Sequence, residues 1–465
     1  MNFIAICLHS LDMRDFHSHL RTTPFLDQMR AKSIFIPMGR GQGHHRKDSL
    51  NAEITGVWTA RYANARLTKD GYVHCQDKSS GLPKTVIEYL QDDGYDIFTC
   101  IGFDDKNQLG TMAAANNERC SMNSFWLADQ PNRLAQFNCP KKMSMSEWLT
   151  RIKDSKKFYA HIFLRATHRP WDQGKELLTL AGKRQLIFID SAKKMANKAI
   201  RYIYAARKLA NKSVNKSENS AQKPPKYIAR NLTKSFISAA RKLALEKPSE
   251  FAFLRRRGLE RADQIISEIF EATKHIKDVT YIIYSNHGEV YDHFRYHLPH
   301  PIRRSKKFNL DFVVGTSHAS FPYEVLYANM QMWLIPGHEP RAMRGCGRSI
   351  DITPTILELA GVTPEAMDGE SMLSYFSDGV FPDRDRYAEI PLKGGCISMV
   401  RKDGCKLISV EHDADALPGH RLAVFDLKSD PYEYVNVINT PQGQEVLDWA
   451  IQIHKSLREH PPPPT

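Results

Sequence analysis

Apolar residues fall along this chain in two textures. Up to about residue 375, short apolar runs alternate with longer stretches in which apolar positions recur every three or four residues. The runs Phe3 to Leu8, Asp96 to Ile101, Phe158 to Leu164, Thr280 to Ser285 and Met330 to Ile335 are rich in Ile, Phe, Tyr or Val and predict buried strands. The recurrences at Ser191 to Asn211 and Leu259 to His275 predict helices. Such alternation favours a layered α/β domain with a mostly parallel central sheet. Asn211 to Pro225 is polar and closes on Pro224 and Pro225, as an exposed loop inside an insertion would. Beyond about residue 376 the runs shorten. Cys396 to Arg401, a turn at Lys402 to Gly404, Cys405 to Val410 and Leu422 to Leu427 predict an antiparallel meander, and Gln442 to Arg458 a closing helix that the following prolines cannot extend. The expected organisation is an α/β domain over 1–375 carrying a helical insertion at 183–257, then a smaller α+β subdomain over 376–465.

Composition narrows the class. With 465 residues, 42% apolar and 25% charged, the chain can bury a large core, which excludes disorder or fibre as its main state. No stretch approaches the ~18 uninterrupted apolar residues of a membrane span. Met1 and Asn2 lead straight into an apolar strand without a basic leader or small-residue cleavage site, and the eight cysteines form no CxxC pair. A reduced, cytoplasmic chain is the expectation. The net charge of +13 is concentrated in residues 183–257, which hold 20 Lys/Arg against 4 Asp/Glu. That block would attract polyanions such as sulfated or phosphorylated glycans, anionic headgroups or nucleic acid; a solvated helical face explains it equally well.

Candidate chemistry gathers at strand ends. YIIYSNHGE, residues 281–289, places Asn286, His287 and Glu289 just beyond a buried strand, where ligands bind in open α/β sheets. His9, Ser10 and Asp12 follow the first strand, Thr167, His168 and Arg169 follow the strand at Phe158, and His318 precedes Tyr323 and Glu324. Imidazole nitrogen and amide or carboxylate oxygen are ordinary metal ligands. Any single one of these residues is better explained by a satisfied turn or a hydrogen-bonded surface position; their convergence would make a site. Ser49 opens the helix-like SLNAEITGVW, where amide dipoles favour an oxyanion, or it merely caps that helix.

The flanking residues carry a resemblance. TTPFLDQMRAKS (22–33), THRPW (167–171), SNHGE (285–289), SHASFPYEVLYANMQMWLIPG (317–337), DITPTILELAGVTPEAMDGESM (351–372) and VFDLKSDPYEYVNV (424–437) resemble, in order, segments of the sulfatase branch of the alkaline-phosphatase superfamily. The resemblance spans nearly the whole chain and implies an alkaline-phosphatase-like layered domain, a divalent metal and an anionic ester substrate. It implies His9, Asn286 and His287 as metal ligands, His168 and His318 as groups that stabilise charge or protonate the leaving alcohol, and Arg46, His45 and Arg169 as clamps for the anion.

Two departures qualify that picture. The family's strand-one acid is matched by His9 and its second-motif aspartate by Asn286, so negative charge is lost and preference moves from calcium towards zinc or manganese. The Cys/Ser-x-Pro-x-Arg motif, oxidised to formylglycine some nine residues before a Thr-Gly pair, is absent: Arg46 stands nine before Thr55. Formylglycine is therefore not expected, and Ser49, followed by an x-x-Ala-Glu sequence similar to that of phosphoglycerol-transferase-like relatives, is the candidate nucleophile. The expected function is a metal-dependent hydrolase of sulfate or related phosphate esters with an altered nucleophile segment. The competing reading is a catalytically silent relative that binds anionic glycans or other polyanions through 183–257. Nucleic acid ranks last, because no recognisable binding module accompanies the charge.

Overall fold

A computed structural model of the chain describes residues 1–11, 13–17, 22–43, 46–61, 65–74, 83–100, 145–164, 166–167, 248–289, 322–390, 395–411 and 422–460. The helix expected at 191–211, the loop after it and most of the basic block lie outside these residues.

Strands are numbered in chain order: β1 (Asn2–Leu8), β2 (Ile34–Arg40), β3 (Ala65–Thr68), β4 (Gly71–His74), β5 (Asp96–Cys100), β6 (Phe158–Leu164), β7 (Val279–Ser285), β8 (Ala328–Leu334), β9 (Arg341–Ala342) and β10 (Gly347–Arg348). All five strands read from the sequence are present, with ends displaced by no more than two residues, and the expected helix at Leu259 is found as Pro248–Thr273. The main sheet runs β10-β2-β8-β7-β1-β6-β5, with β9 added beside β2. β7, β1, β6 and β5 are mutually parallel, while β8 is antiparallel to both β7 and β2. β2 therefore points the same way as β1, and both release their following loops at one edge.

Both faces of this sheet are covered, which is why its strands read as continuous apolar runs. Phe3, Ala5 and Cys7 of β1 pack with Leu50, Ile54, Val86, Leu90, Ile352 and Ile356 on one side. Ile4, Ile6 and Leu8 pack with Leu26, Met29, Ile152, Leu259, Ile265 and Ile269 on the other. A fully buried aliphatic or aromatic side chain of this kind contributes roughly 1.5–3 kcal/mol. Helices Arg46–Thr55, Val86–Asp92 and Ile352–Ala360 form the first outer layer; Pro24–Lys32, Met145–Lys153 and Pro248–Thr273 form the second.

The carboxy-terminal part is a four-stranded antiparallel sheet of β11 (Arg386–Ile390), β12 (Cys396–Val400), β13 (Cys405–Val410) and β14 (Leu422–Asp426), closed by the helix Pro441–Glu459. The β3–β4 hairpin packs against it through Leu67 and Tyr72, which share a core with Leu407, Val424 and Leu447. Charged side chains tie the two sheets together. Arg40, at the end of β2, donates from Nε to Glu324 (2.8 Å) and from Nη2 to Ser398 of β12 (2.8 Å). Lys406 of β13 lies 2.9 Å from the other Glu324 oxygen and 2.7 Å from Glu433. Glu433 in turn accepts the backbone amide of Glu324 at 2.7 Å. Burial alone would raise the Glu324 carboxyl, but Arg40, Lys406 and Arg386 hold it well below the usual carboxylate range. The PYE of 322–324 and the PYE of 431–433, read separately in the sequence, thus end on one ammonium group.

Candidate active site

Four segments meet where β1, β2, β6 and β7 end. The β1–β6 pairing continues one residue past the strand, with His9 N donating to Leu164 O at 3.0 Å, and then Ser10 turns sharply with a φ of 56°. That left-handed conformation is uncommon for a residue with a side chain and marks stored strain. It aims the Ser10 amide at Asn286 Oδ1, 3.1 Å away, and the same oxygen accepts the His287 amide at 3.0 Å. Two backbone donors fix which amide atom is oxygen. The Asn286 oxygen is therefore engaged by the turn.

His287 follows, wholly buried. Its Nδ1 lies 2.8 Å from the Gly288 carbonyl, a contact it makes only as donor, so in the neutral ring Nε2 carries the lone pair. This is the tautomer of a metal-binding histidine whose second nitrogen is held by a carbonyl. The ring meets that of His9 edge-on, centroids 5.2 Å apart, and Ser10 Oγ sits 3.3 Å from Nε2. Gly288 is required by crowding: a Cβ there would lie 2.2 Å from the Val325 carbonyl oxygen. From β6, Thr167 Oγ1 donates to the His9 carbonyl at 2.7 Å.

Ser49 reaches the same edge from β2. It is the fourth residue of the helix Arg46–Thr55, inside the first turn, so it does not cap that helix. Its Oγ lies 2.7 Å from Glu53 Oε1 and 2.8 Å from the Asn286 carbonyl, and both side chains are buried. Gly41 makes this approach possible, since a Cβ would stand 2.3 Å from the Asn286 oxygen. Replacing Gly41 by alanine is expected to push the β2 turn off Asn286 and cost about 1–3 kcal/mol, the usual price of overpacking. A thermal melt reads this directly; an unchanged midpoint would mean that the turn has slack.

The segment 351–372 buttresses the Ser49 helix. Thr353 Oγ1 donates to the Glu53 carbonyl at 2.6 Å, and the Gly56 carbonyl accepts the amides of Asp368 and Gly369, each at 2.9 Å. Beneath the helix lie neutral groups. Burial pushes the Cys7 thiol and the Tyr284 phenol well up, drives His161 down to about 4 and raises Glu53 to about 8, with the Ser49 hydrogen bond only partly opposing the last.

His9, Asn286, His287 and Ser49 are thus brought together, and Ser10 and Glu53 join them without having been assigned a role from the sequence. Glu53 had a legible signal, standing four residues after Ser49 on the same helix face; the turn at Ser10 had none. His45, His168, Arg169 and His318 lie outside the described residues, and of Arg46 only the helical backbone is described. Among the described residues no group of three or more His, Cys, Asp or Glu is arranged to hold a metal ion. Of the candidate ligands, the imidazoles of His9 and His287 are described and lie side by side.

The sulfatase family model matches residues 1–362, more than three quarters of the chain. The chain belongs to the sulfatase family. It is similar to the multifunctional alkaline phosphatase superfamily protein PehA of Trinickia caryophylli, 32% identical over 138 residues, a match covering 24% of this chain and 26% of that relative. The chain thus matches only about a quarter of that relative's length. Among solved structures, BT4656 in complex with its substrate D-glucosamine-2-N,6-O-disulfate superposes with a TM-score of 0.54 at 15% identity, over 98% of this chain and 97% of the other. The phosphonate monoester hydrolase of Agrobacterium radiobacter gives 0.53 at 14% identity, over 98% and 95%. These likenesses establish the fold. Among the described residues of this sulfatase-family protein, no helix is long and apolar enough to cross a membrane.

Proposed function

We propose that the protein hydrolyses sulfate esters, or the related phosphate esters, of an anionic small molecule or glycan, with Ser49 as the attacking group. The observation that carries this reading is the position of the Ser49 hydroxyl: first turn of the helix after β2, at the edge where β1 and β7 end, 2.8 Å from the Asn286 carbonyl. The helix amides favour negative charge on an oxygen held there. His9 and the Nε2 atom of His287 are the groups that would hold a divalent ion, with further ligands supplied from outside the described residues. Such an ion, when bound, supplies a Lewis acid for the ester oxygen. Asn286 keeps the two strand-end turns in register through its side-chain oxygen. His168, His318, His45, Arg46 and Arg169 are the residues proposed to protonate the leaving group and to clamp the anion.

The experiment is turnover of 4-nitrophenyl sulfate and 4-nitrophenyl phosphate by purified protein, with metal content measured on the same sample. Expected are bound zinc or manganese and hydrolysis that both Ser49→Ala and His287→Ala abolish. The replacement of the family's strand-one acid by His9 and of its second-motif aspartate by Asn286 favours a second reading, a catalytically silent relative that holds polyanions through 183–257. Absence of bound metal, no turnover and salt-sensitive retention on heparin would establish that one instead.

A further inference from the structure

The Ser49 hydroxyl has one proton and two oxygens within bonding distance, Glu53 Oε1 at 2.7 Å and the Asn286 carbonyl at 2.8 Å. A carbonyl can only accept, and a hydroxyl donates once. If Ser49 donates to an ionised Glu53, its contact with Asn286 is oxygen against oxygen with no hydrogen between. If Glu53 is a neutral acid, its O–H donates to Ser49 Oγ, Ser49 donates to Asn286, and both contacts are satisfied. The resting arrangement is therefore a protonated Glu53 upstream of Ser49.

The surroundings agree. Glu53 is 1% exposed, and its Oε2 has no hydrogen-bond partner among the described residues. The ionisable groups facing it are Cys7 on β1 and Tyr284 on β7, both kept neutral by burial. Several charged groups on the elements packed around this helix are turned to partners of their own. Asp351 pairs with Arg348 and Arg384, Glu389 of β11 accepts from Tyr72 and Tyr387, Glu88 caps its own helix at Thr85, and Arg61 pairs with Asp368. No cation among the described residues neutralises Glu53.

We propose that Glu53 is the proton acceptor for Ser49, so that the chain activates its hydroxyl with a carboxylate one helical turn away. The proposal rests on the reading of Ser49 as the attacking group. With an aryl ester the step balances as follows. Ser49 Oγ forms a bond to sulfur or phosphorus, the ester bond breaks with its electron pair leaving on the phenolate, and the serine proton passes to ionised Glu53. Water then attacks the serine ester, one of its protons passing to Oγ as the bond to sulfur or phosphorus breaks, and Glu53 releases the proton it took to the phenolate or to solvent, which restores both side chains.

Glu53→Gln is the informative variant, because its amide still donates to Ser49 Oγ and keeps the Ser49–Asn286 bond but cannot accept the proton. Expected for the wild type is a kcat that climbs with pH towards about 8, the value to which burial raises this acid. Expected for Glu53→Gln is a loss of ~10²–10⁴-fold in kcat and disappearance of that limb, with an unchanged melting temperature at pH 5 as the control for folding. A variant that keeps both rate and pH profile overturns the proposal. Carbon-13 NMR of the Glu53 carboxyl provides a readout that needs no substrate. If the wild type hydrolyses neither ester, the function proposed above fails, while a Glu53 signal that titrates near 8 and moves in Ser49→Ala still supports the shared proton. A signal titrating in the ordinary carboxylate range overturns it.

Discussion

Exchanging Lys406 for methionine is expected to lower stability by roughly 3–5 kcal/mol, because it removes the cation from a buried ion pair and leaves the anion behind. The Lys406 side chain has no exposure and Glu433 has 1%, with Nζ 2.7 Å from the carboxylate. Burial already pushes Glu433 up, and Lys406 is what opposes that shift. Without the ammonium, Glu433 must protonate or remain charged in an apolar setting, and Glu324 loses one of its cations as well. The midpoint of urea unfolding at pH 7 measures the loss. Glu433→Gln in the same background should restore part of it, since the neutral amide can still accept the Glu324 backbone N–H through its carbonyl oxygen. A single variant as stable as the wild type would show that the network contributes nothing.

Glu53 should make stability fall as pH rises. Its carboxyl is raised from 4.5 to about 8 in the fold, so between those values the native chain holds a proton that the unfolded chain has released. The native state is therefore favoured below about 4.5 and loses that advantage progressively until Glu53 ionises near 8. One proton of difference gives a slope of about 1.4 kcal/mol per pH unit. Glu53→Gln removes the proton from the balance, so unfolding free energies of the two proteins should diverge steadily from pH 5 to pH 8, with the variant the more stable at the upper end. Parallel curves would mean that Glu53 is ionised in the fold.

The sheet was legible where strands are buried on both faces. β1, β6 and β7 read as unbroken apolar runs because helices cover either side of each. β2 was not read as a strand, although it pairs with β8, β9 and β10. Its sequence IFIPMGR carries Pro37 and Gly39, and the register with β8 slips between Ile36 and Gly39. Proline and a bulge are what a central strand normally lacks, so the pattern argued against it. The β3–β4 hairpin escaped notice because four-residue strands leave too little alternation to see. Of the site, the residue types at strand ends were visible, but not their hydrogen bonds. Asn286 is legible as a candidate ligand; that its side-chain oxygen accepts two backbone amides is not. That engagement depends on the Ser10 turn, which no local propensity announces.

The route from Arg40 through Glu324 and Lys406 to Glu433 limits how this molecule can be dissected. A chain cut near residue 375 would strand the Arg40 guanidinium without Ser398 and bare the apolar faces of Trp58, Leu67 and Tyr72. The terminal sheet expressed by itself would carry the Lys406 ammonium and Glu433 without either Glu324 or Arg40. Grafting a tail from one relative onto the body of another should therefore succeed only when the body supplies Arg40 and Glu324 and the tail supplies Lys406 and Glu433, which makes these four side chains the seam of the protein.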